Sequence, residues 1–228
     1  MFDSSRRRFL QKAGIGAATI GASGLVLRSD AVPTQEIDRG QTVIQLAPAK
    51  IDLPAKTEIK KVISFPYGPF YKEGAPFRGK LSVPGEPGTQ FVLTGRVWAF
   101  DTKRPLAGVV LDFWHVDMQE KYSNGTTDFR NRGRLVSSET GYYELESIRP
   151  IPYRPNPQGA PDFWRCAHFH LVASCPGYKQ LITEIHFQGD AKRSDPMYRL
   201  ENAITVAEQT MNGTKFQTGA FDVVLERV

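Results

Sequence analysis

Short segments rich in Val, Ile, Leu and Phe, several of them with alternating side chains, most constrain what this chain can fold into. In residues 181–187 two sets alternate: Leu181, Thr183, Ile185 and Phe187 in one, Ile182, Glu184 and His186 in the other. Successive side chains of a strand point to opposite faces, so the pattern predicts a strand with one face in a core. Five similar segments, separated by Gly, Pro and Asn, lie at 91–100, 109–116, 141–148, 167–174 and 220–227. Short strands at this spacing favour an all-β fold, a β-sandwich with long loops and little helix; at most one or two helical turns are expected within 195–209.

Length and charge limit the number of domains and the kinds of partner that this chain can have. A chain of 228 residues favours one compact domain. The formal net charge is +5, but residues 1–31 alone contribute +3, and the remainder carries 24 basic and 22 acidic side chains. This balance predicts no nucleic-acid-binding patch and no nucleic-acid partner.

The N-terminus predicts export. Residues 5–10, SRRRFL, resemble the twin-arginine export motif, and residues 13–27 form an uncharged run rich in Gly and Ala. That run is shorter and less apolar than the roughly 20 residues of a membrane span, and small residues at 29 and 31 suit cleavage after Ala31. We therefore expect a signal peptide over 1–31, passage through the twin-arginine translocase, a periplasmic or secreted protein, and no membrane span after cleavage. The alternatives are a basic tail or an uncleaved anchor.

Residues 32–60 are rich in Pro, Lys and Gln and show no clear periodicity. They are interpreted as an N-terminal arm or linker, which packs across the domain or against the partner subunit of a homo-oligomer. Residues 61–228 are then the β-sandwich.

Two histidines two residues apart, His168 and His170, follow the string WRCA. In a strand both imidazoles project to one face, an arrangement that suits a transition metal. The alternative is a pair of hydrogen-bonded histidines without a metal.

The chain has two cysteines, Cys166 and Cys175. Cys166 lies two residues before His168 and would project to the same face of the strand, so a thiolate ligand is an alternative. A strand from Cys166 to Cys175 would separate its ends by about 25–30 Å, far beyond the 7 Å or so that a disulfide allows, so two free thiols are predicted.

Several further segments occur in a fixed order around these histidines. They are GPFYKEGAPFRG (68–79), LTGRVWAFDTKRPLAGVVLDFWHVD (93–117), KYS (121–123), GYYELESIRPIPY (141–153), WRCAHFH (164–170) and LITEIHFQGD (181–190). This text resembles the intradiol ring-cleavage dioxygenases, non-haem iron(III) enzymes that include catechol and protocatechuate dioxygenases. The resemblance spans roughly residues 66–225.

The resemblance implies that Fe(III) is held by Tyr122, Tyr153, His168 and His170, with Tyr122 as the equatorial phenolate and Tyr153 as the axial one. A tyrosine in water loses its proton only near pH 10, and a trivalent cation stabilises the phenolate much as metals ionise bound water. Two phenolates and two neutral imidazoles favour iron(III) over iron(II). Three prolines flank Tyr153 and predict a rigid loop outside any sheet ladder.

The resemblance also implies the reaction: a vicinal aromatic diol and O₂ give a cis,cis-muconate-type diacid. By the same resemblance, the diol would take the place of Tyr153, whose phenolate would accept a substrate proton as a general base. Arg165 is implied beside the ring as a cation, although its parity in the strand is opposite to that of His168. Tyr67, Pro69 and Tyr71 are implied to line the substrate pocket.

One position departs from the family. Glu184 stands where these enzymes usually have glutamine, and an ionised carboxylate only accepts hydrogen bonds. Glu184 is then either kept neutral by burial, or its charge makes the iron harder to reduce; the alternative is a structural ion pair with Arg165 or another cation. Of the remaining histidines, His115 is expected to be structural or to support the ligands, and His186 to lie on the strand surface.

Two rival functions remain. The first is a β-sandwich binding module without catalysis, and the presence of all four implied ligands argues against it. The second is a zinc hydrolase that uses His168, His170 and a carboxylate such as Glu184. Replacing Tyr122 and Tyr153 by phenylalanine separates the two metal sites, because a zinc site of this kind needs no phenolate.

Overall fold

The computed structural model describes residues 55–125, 127–190, 192 and 195–228. Their strands are β1 (Gln90–Ala99), β2 (Val110–Trp114), β3 (Arg132–Val136), β4 (Tyr142–Ile148), β5 (His168–Ser174), β6 (Leu181–Phe187), β7 (Ala203–Ile204), β8 (Ala207–Met211), β9 (Thr214–Ala220) and β10 (Val223–Leu225). Among the described residues the helical structure is limited to one 3₁₀ turn, Leu200–Asn202. The expected signal peptide (1–31) and the arm up to residue 54 lie outside the described residues and stay predictions.

The strands form two five-stranded sheets. One has the order β3-β2-β5-β6-β7, in which β2, β3, β5 and β6 are antiparallel and β7 joins β6 in parallel. In the other, β1 is central: β4 pairs with one edge of it, and β9 and β10 pair in parallel with the other, with β8 outside β9. The all-β prediction is confirmed.

The core lies between the sheets. Phe91 of β1 packs against Phe169 of β5 and Phe187 of β6, with ring centroids 5.8 and 5.6 Å apart. All three side chains are fully buried. Interdigitation of aromatic and aliphatic side chains from both inner faces is what holds a sandwich together.

Gly95 shows how closely the second sheet is packed. A Cβ at this position would lie 1.8 Å from the carbonyl oxygen of Phe221, and the hydroxyl of Tyr143 donates to that same oxygen at 2.7 Å. Only glycine allows the two backbones to approach this closely.

The opposite face of the β3-β2-β5-β6-β7 sheet carries the polar and aromatic residues. Cross-strand pairing sets them in two rows: Arg132, Trp114, His170 and Glu184 in one, and His168 and His186 in the next. Loop residues within 115–125, 149–167 and 195–199 and the segment before β1 lie against this face: Tyr122 contacts His170, Tyr153 lies near His168, Tyr198 packs on His186 and Tyr71 packs on Trp114. The register therefore brings the candidate residues together under loops.

The alternating segments are found as strands within two residues of the predicted ends, except at the C-terminus. There β10 lies inside the predicted segment 220–227 but begins three residues later and ends two residues earlier. The sequence did not predict β3, β7, β8 or most of β9. The turn expected within 195–209 is present as the 3₁₀ turn at Leu200–Asn202. Among the described residues, no helix is long and apolar enough to cross a membrane.

Candidate active site

The two imidazoles predicted to bind metal project from β5 to the same face. The Nε2 atoms of His168 and His170 lie 3.1 Å apart, and both side chains are buried. The Nδ1 of His168 lies 2.7 Å from the carbonyl oxygen of Cys166. A carbonyl only accepts, so this Nδ1 carries the proton and donates it, and the Nε2 of His168 is left with a free lone pair.

Aromatic packing fixes the orientation of His170. The indole of Trp114, its cross-strand partner, stacks on the imidazole with centroids 4.6 Å apart and planes 5° apart. Burial lowers the pKa of His168 to about 4 and the pKa of His170 well below its ordinary value. Both rings are therefore neutral near pH 7, as metal ligands must be.

Tyr122 lies near the middle of the connection between β2 and β3. Its hydroxyl is 3.1 Å from the Nε2 of His170 and 3.5 Å from that of His168. Its ring stacks on Phe70, with centroids 4.5 Å apart. Just beyond it, the buried guanidinium of Arg132 donates to the carbonyl oxygen of Ser123 at 2.8 Å, which fixes the backbone that carries the phenol.

Tyr153 completes the predicted set. Its ring meets that of Tyr122 edge to face, with centroids 5.4 Å apart. Burial raises the pKa of both phenols; the interaction between them raises the pKa of Tyr122 further and lowers that of Tyr153. The loop is outside any extended ladder as predicted, except that the backbones of Tyr153 and Arg165 exchange two hydrogen bonds, of 3.1 and 2.8 Å.

The chemistry of these four side chains fits a hard cation. The hydroxyl of Tyr122 and the Nε2 atoms of His168 and His170 lie within 3.1–3.5 Å of one another in a buried place. Three ligand atoms that converge in this way can meet at one metal ion. Two neutral imidazoles and two ionisable phenols supply the donors and the negative charge that a trivalent metal requires.

Glu184 lies next to this set as an ionised partner of Arg165. Its Oε2 accepts from the Nη2 of Arg165 at 2.6 Å, and the Nε of the same guanidinium donates to Asp195 at 2.8 Å. Burial alone would raise the pKa of Glu184, but the imidazoles of the site and Arg165 outweigh it, and the pKa lies below its ordinary value. Of the options open from sequence, the ion pair with Arg165 is confirmed.

The position of His186 differs from the one that its strand pattern predicts. It was expected on the strand surface, but it is fully buried, because the segments around Phe65 and Tyr198 pack against its ring. Its Nδ1 lies 3.1 Å from the backbone nitrogen and 3.3 Å from the carbonyl oxygen of Arg199. Its Nε2 lies 3.2 Å from the Oε2 of Glu184, and because a carboxylate only accepts, this Nε2 carries a proton and donates it. It is a second hydrogen-bond donor to that carboxylate.

The segment predicted to line the pocket does lie over the site. Tyr67 packs on Tyr71 with centroids 4.7 Å apart, and Tyr71 packs on Trp114 at 5.0 Å. The hydroxyl of Tyr71 donates to the buried carboxylate of Asp112 at 3.3 Å. Pro69, between the two tyrosines, is exposed. The segment thus extends the aromatic stack that begins at the imidazole of His170.

Comparison with known proteins shows the family to which the chain belongs. Residues 67–227 match the profile of a protein family described as "Dioxygenase". A chlorocatechol 1,2-dioxygenase of Rhodococcus opacus is 34% identical over 182 residues, which cover 70% of each chain. The chain belongs to the intradiol ring-cleavage dioxygenases. It is accordingly an oxidoreductase.

Other relatives agree with this family assignment. Catechol 1,2-dioxygenase 2 of Acinetobacter lwoffii is 32% identical over 138 residues, which span 54% of this chain and half of that protein. The crystal structure of a 3-chlorocatechol 1,2-dioxygenase from Rhodococcus opacus 1CP matches with a TM-score of 0.66 and 26% identity, covering 75% of this chain and 73% of the other. A dioxygenase domain from Streptomyces sp. SirexAA-E matches over its entire length and 74% of this chain, with a TM-score of 0.61 and 27% identity.

The other histidine and the two cysteines that the sequence offered as site residues lie outside the proposed metal ligands of this dioxygenase. His115 is buried on the opposite face from Trp114, between the carbonyl of Val116 and the hydroxyl of Ser147, each 2.7 Å from a ring nitrogen. Cys166 and Cys175 are free, as predicted. Burial and the carboxylate of Asp195 raise the pKa of the Cys166 thiol, which argues against a thiolate ligand.

Sequence reasoning missed several residues that hold the dioxygenase site together. They are Phe70, Asp112, Trp114, Arg132 and Asp195. The sequence does contain a pattern that places Trp114 and Asp112 together. They lie two residues apart in a predicted strand, so their side chains project to the same face of the sheet. For the others, contact depends on loop paths that no local pattern describes.

Proposed function

We propose that this protein is an iron(III)-dependent intradiol dioxygenase that cleaves a catechol-type aromatic vicinal diol with O₂ and forms a cis,cis-muconate-type diacid. The observation that carries the proposal is the approach of three donors, the hydroxyl of Tyr122 and the Nε2 atoms of His168 and His170, within 3.1–3.5 Å of one another. The ring of Tyr153 lies at the same place, with its centroid 5.4 Å from that of Tyr122 and 5.8 Å from that of His168.

These four side chains would hold the iron. Bound iron(III) would supply the Lewis acid that ionises the phenols and the diol and draws electron density from the aromatic ring. The neutral state of both imidazoles, set by burial, leaves their lone pairs available without competition from protons.

Tyr153 is the residue best suited to exchange a proton with the substrate. Burial raises the pKa of both phenols, but the interaction between them lowers the pKa of Tyr153 and raises that of Tyr122, which makes the Tyr153 oxygen the more easily deprotonated of the two. Its backbone is tied to Arg165 rather than to a central strand. A phenolate released from this position would accept a proton from one hydroxyl of the diol.

Arg165 and Glu184 set the charge beside the ring. The guanidinium is largely buried and is held by two carboxylates, so its orientation is fixed before substrate arrives. The same two carboxylates offset its positive charge. Arg165 therefore orients a substrate oxygen through its N–H groups more than it attracts an anionic ring.

The aromatic segment that contains Tyr67 and Tyr71 would cover one side of a flat substrate. The relatives are named for catechol and chlorocatechol, and this supports an aromatic diol as the substrate of this chain too. The stacked rings of Tyr67, Tyr71 and Trp114 are apolar on their faces, which suits an uncharged ring.

A zinc hydrolase is the alternative that one observation favours: ligand atoms of His168, His170 and Glu184 all lie within 4.8 Å of one another. Against it, the Oε2 of Glu184 is already bonded to Arg165 and faces His186. A binding module without catalysis would not need two buried phenols beside two imidazoles.

Tyrosine substitutions separate these functions. We expect the iron-loaded protein to show a broad phenolate-to-iron(III) absorption band that moves to longer wavelength when catechol is added without oxygen. Tyr122→Phe and Tyr153→Phe should each remove part of the band, while Tyr142→Phe, which changes an exposed tyrosine of β4, should leave it unchanged. A wild-type protein that binds iron stoichiometrically without such a band would contradict the proposal. Unchanged zinc affinity in both variants, together with hydrolytic activity, would favour the alternative.

We also propose export through the twin-arginine translocase to the periplasm or the medium. The motif at residues 5–10 supports it, as does the advantage of loading a metal before export. In an expressing bacterium, replacing Arg6 and Arg7 by lysine should retain the protein in the cytoplasm with its N-terminus intact. Equal amounts of wild type and variant in the periplasmic fraction would contradict export by this route.

A further inference from the structure

An ion pair joins the two loops that carry the tyrosines. Glu120 lies two residues before Tyr122, and Arg154 directly follows Tyr153. The backbone N–H and the Nε of Arg154 donate to one carboxylate oxygen of Glu120 at 3.1 and 3.2 Å, and Nη2 donates to the other at 3.3 Å. Both carboxylate oxygens are therefore engaged, by the side chain and the backbone of one residue.

The turn before Tyr122 fixes the carboxylate of this pair. The buried side chain of Asp117 accepts from the backbone N–H groups of Gln119 and Lys121 at 2.8 and 2.9 Å. Glu120, between them, has φ of 61°, in the left-handed region. A glutamate there costs about 1 kcal/mol relative to glycine, so the turn holds a carboxylate where the backbone alone would favour a smaller residue.

The guanidinium is held on its other side by an aromatic ring. Its central carbon lies 4.9 Å from the centre of the Trp164 indole, which also carries Lys192 at 4.3 Å. Trp164 precedes Arg165, whose backbone pairs with that of Tyr153. The indole therefore restricts the position of the Arg154 guanidinium, a restraint that most arginines in surface ion pairs lack.

From these contacts we propose that Glu120 and Arg154 are a positioning pair that sets the separation of the Tyr122 and Tyr153 phenols. Exposed ion pairs usually contribute little, because two flexible side chains must be ordered. Here both partners are already ordered, and the three hydrogen bonds are charge-assisted. The pair touches neither substrate nor metal. It acts through the backbone next to each tyrosine, and this role rests on the proposed function.

Hydrogen exchange of the metal-free protein tests the coupling of the loops. The variants are Glu120→Gln, Arg154→Gln, the double variant and Arg154→Lys, with Asp101→Asn as a matched control that breaks the exposed Arg227–Asp101 pair. We expect amides in 117–123 and in 151–155 to exchange about tenfold faster in either single Gln variant, with no further increase in the double variant. Arg154→Lys should fall between Arg154→Gln and wild type, and the control should change less than twofold.

The iron-loaded variants test the consequence for the phenols. We expect iron affinity to fall about tenfold in each Gln variant, as it does when residues that orient metal ligands are changed, and the phenolate-to-iron band to change in position or intensity. Acceleration confined to the mutated loop, additive losses in the double variant, or a band and iron affinity equal to wild type would overturn the inference. A missing band in the wild type would instead overturn the proposed function, and the exchange data would still decide whether the pair couples the loops.

Discussion

The carboxyl group of Asp112 should make the protein less stable as the pH rises through 6. Its side chain is 7% exposed and accepts from Tyr71 beside the stack on His170. Burial raises its pKa from 3.8 to about 6, against the opposing effect of Arg134. Because the folded state holds the proton more tightly than the unfolded state, the stabilisation is complete below pH 3.8 and is lost as the pH passes 6.

The size of the change in the free energy of unfolding follows from the pKa shift of Asp112. A change of about two pKa units at about 1.4 kcal/mol each amounts to roughly 2–3 kcal/mol between pH 4 and 7. Asp112→Asn keeps the shape and an acceptor for the tyrosine hydroxyl but does not titrate. The free energy of unfolding of wild type minus that of Asp112→Asn should therefore fall by this amount from pH 4 to 7.

Urea unfolding of the metal-free protein at half-unit pH steps, followed by tryptophan fluorescence, measures the difference directly. Other titrating groups are common to both proteins and cancel in the subtraction. A difference that is flat with pH, or that rises with it, would show that Asp112 is ionised in the fold and that the argument from burial is wrong.

Three further substitutions have defined outcomes. In Glu184→Gln, mediated redox titration should give a higher iron(III)/iron(II) reduction potential, because a buried negative charge beside the proposed ligands is removed and Arg165 offsets only part of that charge; an unchanged or lower potential would refute this. Trp114→Ala should lower the free energy of unfolding by about 3–5 kcal/mol and weaken iron binding, because it removes a buried ring that stacks on a proposed ligand; iron affinity equal to wild type would refute the positioning role. Gly95→Ala should cost about 3 kcal/mol or more in thermal or urea unfolding, because its methyl group meets the oxygen of Phe221; a loss under about 1 kcal/mol would mean that the backbones separate easily.

The strands that the sequence predicted are those with an apolar inner face. Residues 181–187 alternate clearly, and they form β6 with the expected inner face. By contrast, β3 contains two arginines in five residues, and β8 is polar and almost wholly exposed. Their pairing is decided by neighbours distant in sequence, and no local alternation reports it.

The expected members of the site were found through the resemblance, and the residues around them were not. His186 was expected on the surface because it alternates with core residues, and this is wrong because loops cover the outer face of its sheet. The pair of Glu120 and Arg154 is separated by 34 residues and belongs to no motif. Contacts of this kind depend on how two loops meet, which hydrophobic periodicity does not encode.

Product analysis tests the central claim most directly. The iron-loaded protein is incubated with catechol under ¹⁸O₂, and oxygen uptake and the mass of the product are measured. The account predicts one O₂ consumed per catechol and a six-carbon diacid, opened between the two hydroxyl-bearing carbons, with one labelled oxygen in each carboxyl group. A semialdehyde from cleavage beside the diol, or stoichiometric iron binding without oxygen uptake for any vicinal diol, would contradict intradiol cleavage by this site.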